Sequence, residues 1–214
     1  MSIHSLLTWS RRSQAISTRD KNDKYHRILE AAIKVFARHG YHQSTVAKIA
    51  REAGVADGTI YLYFKNKDDI LVQFFKYKTK QVFERFREEV DCGGNAVEKL
   101  RNLVRRHLEE FQRDRGLAIV YQTETHRLTR RAEEQIREMS QMYLDIIAEI
   151  VENGQAEGFI RKDLYLGLVK RFIIGAVDEV INTWLHAGGR YDLVSMADPL
   201  VDLFFNGIGH KGPS

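Results

Sequence analysis

The sequence predicts an all-α fold of about nine helices, on three observations. Only two prolines occur in 214 residues, Pro199 and Pro213, so nearly the whole chain is free of the residue that breaks helices. Apolar residues recur at helical spacing in one segment after another. No alternating apolar–polar run of useful length occurs, which leaves no candidate strand.

The elements follow in order. Residues 1–20 are polar, basic and without a clear period, and read as a flexible basic arm. Asp23 is placed to cap a first helix, with Ile28, Leu29, Ala32, Val35 and Phe36 at helical spacing and Gly40 stopping it. Thr45 starts a second helix whose Val46, Ile49, Ala50 and Ala53 share a face, and Gly54 closes it. Asp57 caps a short third helix to Phe64, and Lys65-Asn66-Lys67 forms a polar turn. A long helix then runs from Asp68 to about Val90, ended by the loop Asp91-Cys92-Gly93-Gly94-Asn95. Further helical patterns occupy 96–114, 117–128, 131–153, 163–187 and 191–206, separated by Gly116, Gly154, Gly158 and Gly188-Gly189. The chain divides into the arm 1–20, a small domain 21–67 and a body 68–214.

Composition narrows the function classes. The hydrophobic fraction of 43% supports a substantial core. The single cysteine, Cys92, forbids an intramolecular disulfide and fits a reducing compartment. No apolar run approaches the roughly 20 residues of a membrane span. The apolar stretch Ile3 to Trp9 precedes Arg11 and Arg12, the wrong order for a secretory signal. A soluble cytoplasmic protein with no membrane partner is the expectation. Charge is unevenly spread: residues 1–67 hold 12 Lys/Arg against 5 Asp/Glu, a net of +7, while the rest carry −3. A polyanion partner for the first part explains this, as does a solvated basic face.

Residues Thr45 to Phe64 carry the most specific pattern. Two short helices separated by a glycine-containing turn make a helix-turn-helix. Ala50 is small where the helices must approach, Val55 plugs the turn, and Ile60 and Phe64 pin the second helix to the core. Gly58, Thr59, Leu62 and Lys65 then face away, flanked by Tyr61 and Tyr63. Hydroxyls and a terminal lysine on such a helix can reach phosphates and base edges in a DNA major groove. Ser44 and Thr45, at the start of the preceding helix, offer hydroxyls and free amides for a phosphate. An ordinary helical hairpin with surface tyrosines has the same pattern.

The segment Ile28 to Ile70 resembles the N-terminal domain of TetR-family repressors. The resemblance rests on Ala31-Ala32, Phe36, Gly40-Tyr41, Thr45, Ile49-Ala50, Ala53-Gly54-Val55, Thr59-Ile60-Tyr61, Tyr63-Phe64, Lys67 and Leu71. It implies a homodimer paired through the last two long helices, bound to double-stranded DNA at an inverted-repeat operator. It further implies DNA contacts by Thr45, Lys48, Thr59, Tyr61, Tyr63 and Lys67. Gly58 departs from the family, many of whose members carry a side chain there.

The body poses a separate question. Glu124 falls mid-stripe among Leu117, Val120, Tyr121 and Leu128, either as a tie to an internal arginine or as a pocket group. The segment 163–187 is apolar on two sides, and Gly175 with Glu179 lies beside Phe172. The glycine marks a close helix crossing or room for a ligand chain. Arg127, Arg130 and Arg131 flank a helix junction, as a solvated face or as an anion site.

The pieces Gly40–Ser44, Gly54–Lys67, Leu117–Val120, Gly175–Glu179 and Thr183-Trp184 resemble the FadR-type branch of the family, repressors of fatty-acid degradation. That resemblance implies a long-chain acyl-CoA effector and no bound cofactor. The expected ligand-contacting residues are Phe111, Val120, Tyr121, Glu124, Arg127, Leu128, Arg130, Arg131, Met142, Tyr143, Phe172, Gly175 and Glu179. The expected dimer residues are Val177, Ile181, Trp184, Leu200 and Phe204. A repressor sensing a lipophilic drug or aromatic compound is the alternative, and an all-helical acyl-CoA-binding protein without DNA function is another. No GxGxxG, P-loop, HExxH or CxxC motif is present, and His39 and His42 are too isolated for a metal site, so neither an enzyme nor a metal protein is expected.

Overall fold

Helix α1 spans Ile3–His39, because no glycine or proline interrupts those residues and a helix once nucleated propagates cheaply. The computed structural model describes residues 3–124 and 130–208, with side chains from residue 21 onward except those of 123, 124, 130–132 and 135. The irregular arm expected over 1–20 is therefore corrected: the backbone from Ile3 is helical, and Asp23 lies within the helix instead of capping it.

Gly40, Thr45 and Gly54 act as the expected punctuation, whereas Gly116 lies inside α6 (Arg115–Ile119) instead of separating helices. Gly40 at φ 72 ends α1, and Thr45 caps α2 (Val46–Ala53), its hydroxyl accepting the Lys48 amide at 3.3 Å. Gly54 adopts φ 64, and the Val55 amide bonds back to the Ala50 carbonyl at 3.0 Å. A Cβ at Gly54 would meet nothing within 4 Å, so the left-handed backbone, and not space, calls for glycine. Helix α3 (Asp57–Tyr61) is shorter than expected. Ala56 sits at its cap position without a side-chain bond, and Asp57 is its first residue, favourable against the helix dipole. Both Tyr63 and Phe64 amides bond the Ile60 carbonyl at 3.0 Å, which delivers Phe64 to the core from a turn.

Helix α4 (Lys67–Asp91) leads to α5 (Ala96–Arg113), capped by Asn95. Helix α6 (Arg115–Ile119), capped by Asp114, runs into a π-helical turn at Val120–Glu124. Then come α7 (Arg130–Glu157), α8 (Leu166–His186), a 3₁₀ turn at Val194–Met196 and α9 (Ala197–Asn206). These nine α-helices, with no strand, make up the regular structure among the described residues. Gly154, expected to separate helices, lies inside α7. A Cβ there would stand 2.7 Å from Ile160 Cδ1 and 2.8 Å from Ala96 Cβ, so glycine is required by close approach, and Gly158 at φ 85 ends the helix.

The chain forms two compact units, Met1–Phe74 and Phe75–Ser214. The sequence placed the boundary at 67/68. The first two turns of α4 belong to the first unit, where Ile70, Leu71 and Phe74 are fully buried together with Ile28, Phe36, Ile49, Ala50 and Ile60. The core of the second unit is built from Leu103, Val104, Leu108, Ile147, Val151, Val177 and Ile181.

Candidate functional site

In the first unit, burying Ile60 and Phe64 turns the opposite side of α3 to solvent. Tyr61 is 61% exposed and Leu62 81% exposed, and Thr45, Lys48, Gly58 and Lys65 are also exposed. Thr59 and Tyr63 are half-buried, and the Tyr63 ring stands 6.4 Å from that of Tyr25. Arg51 shares this exposure on α2 but carried no signal in the sequence beyond its charge.

Two expected contacts are corrected. Ser44 is 2% exposed, and its hydroxyl donates to the carbonyls of Gly40 at 2.7 Å and Val35 at 3.3 Å. It ties the end of α1 and has no proton left for a phosphate. Lys67 donates from Nζ to the carbonyls of Tyr41 (2.9 Å), His42 (3.3 Å) and Ser44 (3.3 Å) and lies 4.3 Å from the Tyr41 ring centroid. Burial pushes its pKa down. Lys67 is a latch on the turn before α2. Replacing it with Ala should lower stability by about 1–2 kcal/mol, the worth of charge-assisted bonds at a partly solvated site. Thermal melting checks this. The salt dependence of DNA binding should stay the same, since no phosphate contact is removed.

The second unit holds a small apolar cavity, with about 50 Å³ of free space. Phe75, Thr79, Val82, Phe83 and Phe86 line it from one face of α4, and His107, Glu110 and Phe111 from α5. Leu117, Tyr121, Met139, Ser140, Tyr143 and Ile174 complete the wall. Glu110 is only 4% exposed, yet Arg85 grips it with two bonds at 2.7 and 2.9 Å, Arg113 at 2.6 Å and Arg106 at 3.2 Å. Lys78 lies 3.6 Å from Asp114 beside the same wall. Burial holds His107 near pKa 4, so its imidazole is neutral. It also raises Tyr121 and Tyr143, with the charge of Asp178 adding to both. Asp178 itself is pushed up to about 6 by burial, opposed by the hydrogen bond from Gln122 at 3.4 Å. Such a lining is apolar with a few neutral polar atoms, the chemistry of a site for an apolar group.

Of the expected ligand residues, Phe111, Tyr121 and Tyr143 line this cavity. Val120 is buried but does not, and Met142 opens onto surface grooves beside Phe83 and Arg87. Because Ile173, Val177, Ile181 and Trp184 turn inward, Phe172, Gly175 and Glu179 turn outward. A Cβ on Gly175 would meet nothing, and Glu179 accepts the Thr183 hydroxyl at 3.3 Å. Arg127 and Leu128 lie outside the described residues, as do the side chains of Glu124, Arg130 and Arg131.

The same register corrects the dimer residues. Val177, Ile181, Trp184 and Leu200 are buried within the protomer, while Phe204 alone of the five lies on the outer side. There it packs edge to face on Phe172, centroids 5.5 Å apart. Phe172 (61% exposed) and Leu168 share with it an apolar groove also lined by Phe159, Leu164 and Phe205.

The profile described as bacterial regulatory proteins, tetR family, matches residues 28–74, and that described as YsiA-like protein, C-terminal region, matches 75–207. The chain belongs to the TetR family of bacterial regulators. The two profiles meet between Phe74 and Phe75, where the compact units of this regulator also meet. The regulator is 41% identical over 193 residues to the fatty acid metabolism regulator protein of Bacillus subtilis (strain 168), covering 90% of this chain and 100% of that one. It resembles the crystal structure of the transcriptional regulator FadR from Bacillus subtilis in complex with stearoyl-CoA, with a TM-score of 0.81, covering 86% of this chain and 100% of that chain. FadR from Bacillus halodurans matches at 37% identity and a TM-score of 0.83, over 88% and 97% of the two chains. Among the described residues no helix is long and apolar enough to cross a membrane, and no group of three His, Cys, Asp or Glu converges to hold a metal ion.

Proposed function

We propose that this regulator is a cytoplasmic homodimeric repressor, released from an inverted-repeat operator by a long-chain acyl-CoA and controlling genes of fatty-acid degradation. One observation carries the effector: an apolar cavity in the unit of a chain 41% identical to a relative solved with stearoyl-CoA. The exposed face of α2 and α3, with Thr45, Lys48, Tyr61 and Lys65, supports DNA docking; Thr59 and Tyr63 flank it. The outer face of α8 and α9 supports pairing, and two-fold pairing of recognition helices calls for a palindromic operator. The regulator acts by binding and not by turnover.

The effector works as a population shift. It favours the dimer conformation whose recognition helices no longer match successive major grooves, about 34 Å apart. Burial of the acyl chain supplies the energy, at about 0.8 kcal/mol per methylene. A cationic drug is a poorer fit, because Glu110 is the one carboxylate among the described lining residues and three arginines already engage it. In a gel-shift titration, palmitoyl-CoA should release operator DNA at concentrations where CoA and palmitate do not. Release by none of the three would sink the assignment.

A further inference from the structure

Two neighbouring aromatic side chains of the cavity wall, His107 and Tyr143, carry polar atoms. His107 Nδ1 and Tyr143 Oη are buried and have no hydrogen-bond partner among the described residues. Their rings lie edge to face with centroids 4.8 Å apart, and Phe86 packs against both. Packing alone would be served as well by phenylalanine at both positions. An unsatisfied buried hydroxyl and ring nitrogen cost stability unless something entering the cavity bonds them. Thr79 Oγ1 is a third such atom on the wall. It lies seven residues before Phe86 on α4, roughly 10 Å along the helix, and is a separate point.

The chemistry of the pair selects its guest. Tyr143 donates an O–H, and the neutral imidazole of His107 donates an N–H in the tautomer protonated on Nδ1. Burial keeps both groups uncharged. Two neutral donors on adjacent rings suit an oxygen with two lone pairs and no charge. An ionised carboxylate would need a cation; Lys78, the cation of the described cavity lining, lies 3.6 Å from Asp114, and Arg106, which bonds Glu109 and Glu110 through its terminal nitrogens, does not line the cavity. The charge of Asp178, which acts on Tyr143, would repel it further.

We infer that His107 and Tyr143 form a carbonyl-binding site inside the cavity, and that they recognise the thioester C=O of the effector. The inference rests on the acyl-CoA reading above and names the atom by which a thioester is told from a free acid. The test is calorimetric titration of the full chain with palmitoyl-CoA and with S-hexadecyl-CoA, a thioether of equal chain length lacking the carbonyl. The thioether should bind roughly 10- to 100-fold more weakly, about tenfold per lost hydrogen bond. Tyr143→Phe, which keeps the ring packing, should weaken palmitoyl-CoA about tenfold and leave the thioether unchanged. Equal affinity for the two ligands in the unmodified protein would overturn the carbonyl site while leaving the acyl-CoA reading intact. So would a thioester-to-thioether ratio unaltered by Tyr143→Phe. Binding of neither ligand would remove the acyl-CoA reading and this inference with it.

Discussion

Phe172→Asp should convert the proposed dimer to a monomer and abolish operator binding while the protomer stays folded. Phe172 is mostly exposed and packs edge to face on Phe204, so its loss opens no hole in the core. Two-fold pairing uses the same patch on both subunits, so each substitution acts twice. Burying one phenylalanine contributes roughly 2 kcal/mol, and two give roughly 4, about a thousandfold in the dimer constant. The introduced carboxylates add a desolvation cost on top. A monomer presents one recognition helix and loses the second half-site. Light scattering should report half the mass, and far-ultraviolet circular dichroism should not change. A variant that remains dimeric would exclude this face as the interface.

Glu110→Gln should cost the second unit roughly 3 kcal/mol. Removing one partner from a buried ionic cluster strands the remaining charges, an effect of about 3–5 kcal/mol for a fully buried pair. Here Arg113 reaches solvent and relieves part of it, which places the expectation at the low end. For a chain of this size the melting temperature should fall by roughly 10 °C. Glu149→Gln is the control. Its bond to Arg87 joins two half-exposed side chains and should be worth less than about 1 kcal/mol. Equal effects from the two substitutions would show that the Glu110 cluster holds nothing together.

How much of this was legible in the sequence depends on where each partner lies. Thr45, Gly40 and Gly54 act on backbone within a few residues, and their roles follow from side-chain type alone. The inward side of α3 was readable for the same reason, since Ile60 and Phe64 are the bulky apolar residues on one face. Lys67 was misread because its ammonium is used by carbonyls brought close only on folding, 23 to 26 residues away, and Ser44 because its hydroxyl bonds backward to Gly40 and Val35 instead of forward at the start of α2. Helix α8 is apolar on two sides, so its periodicity gave no reason to send Val177 inward and Phe172 outward. The cavity wall on α4 looked like ordinary core, because Phe75, Phe83 and Phe86 have the spacing of any packed stripe. Glu110 was missed behind Glu124, since a carboxylate surrounded by three guanidiniums reads in sequence as a charged surface.

Helix α4 divides its labour along its length. Its first two turns, through Ile70, Leu71 and Phe74, complete the core under the helix-turn-helix, and the residues from Phe75 to Phe86 shape the apolar cavity proposed for the effector. Substitutions that resize the chamber fall on positions the DNA-reading unit does not use. Descendants of such a gene can therefore acquire a new inducer by drift in one stretch of a single helix, while the operator they inherit stays readable.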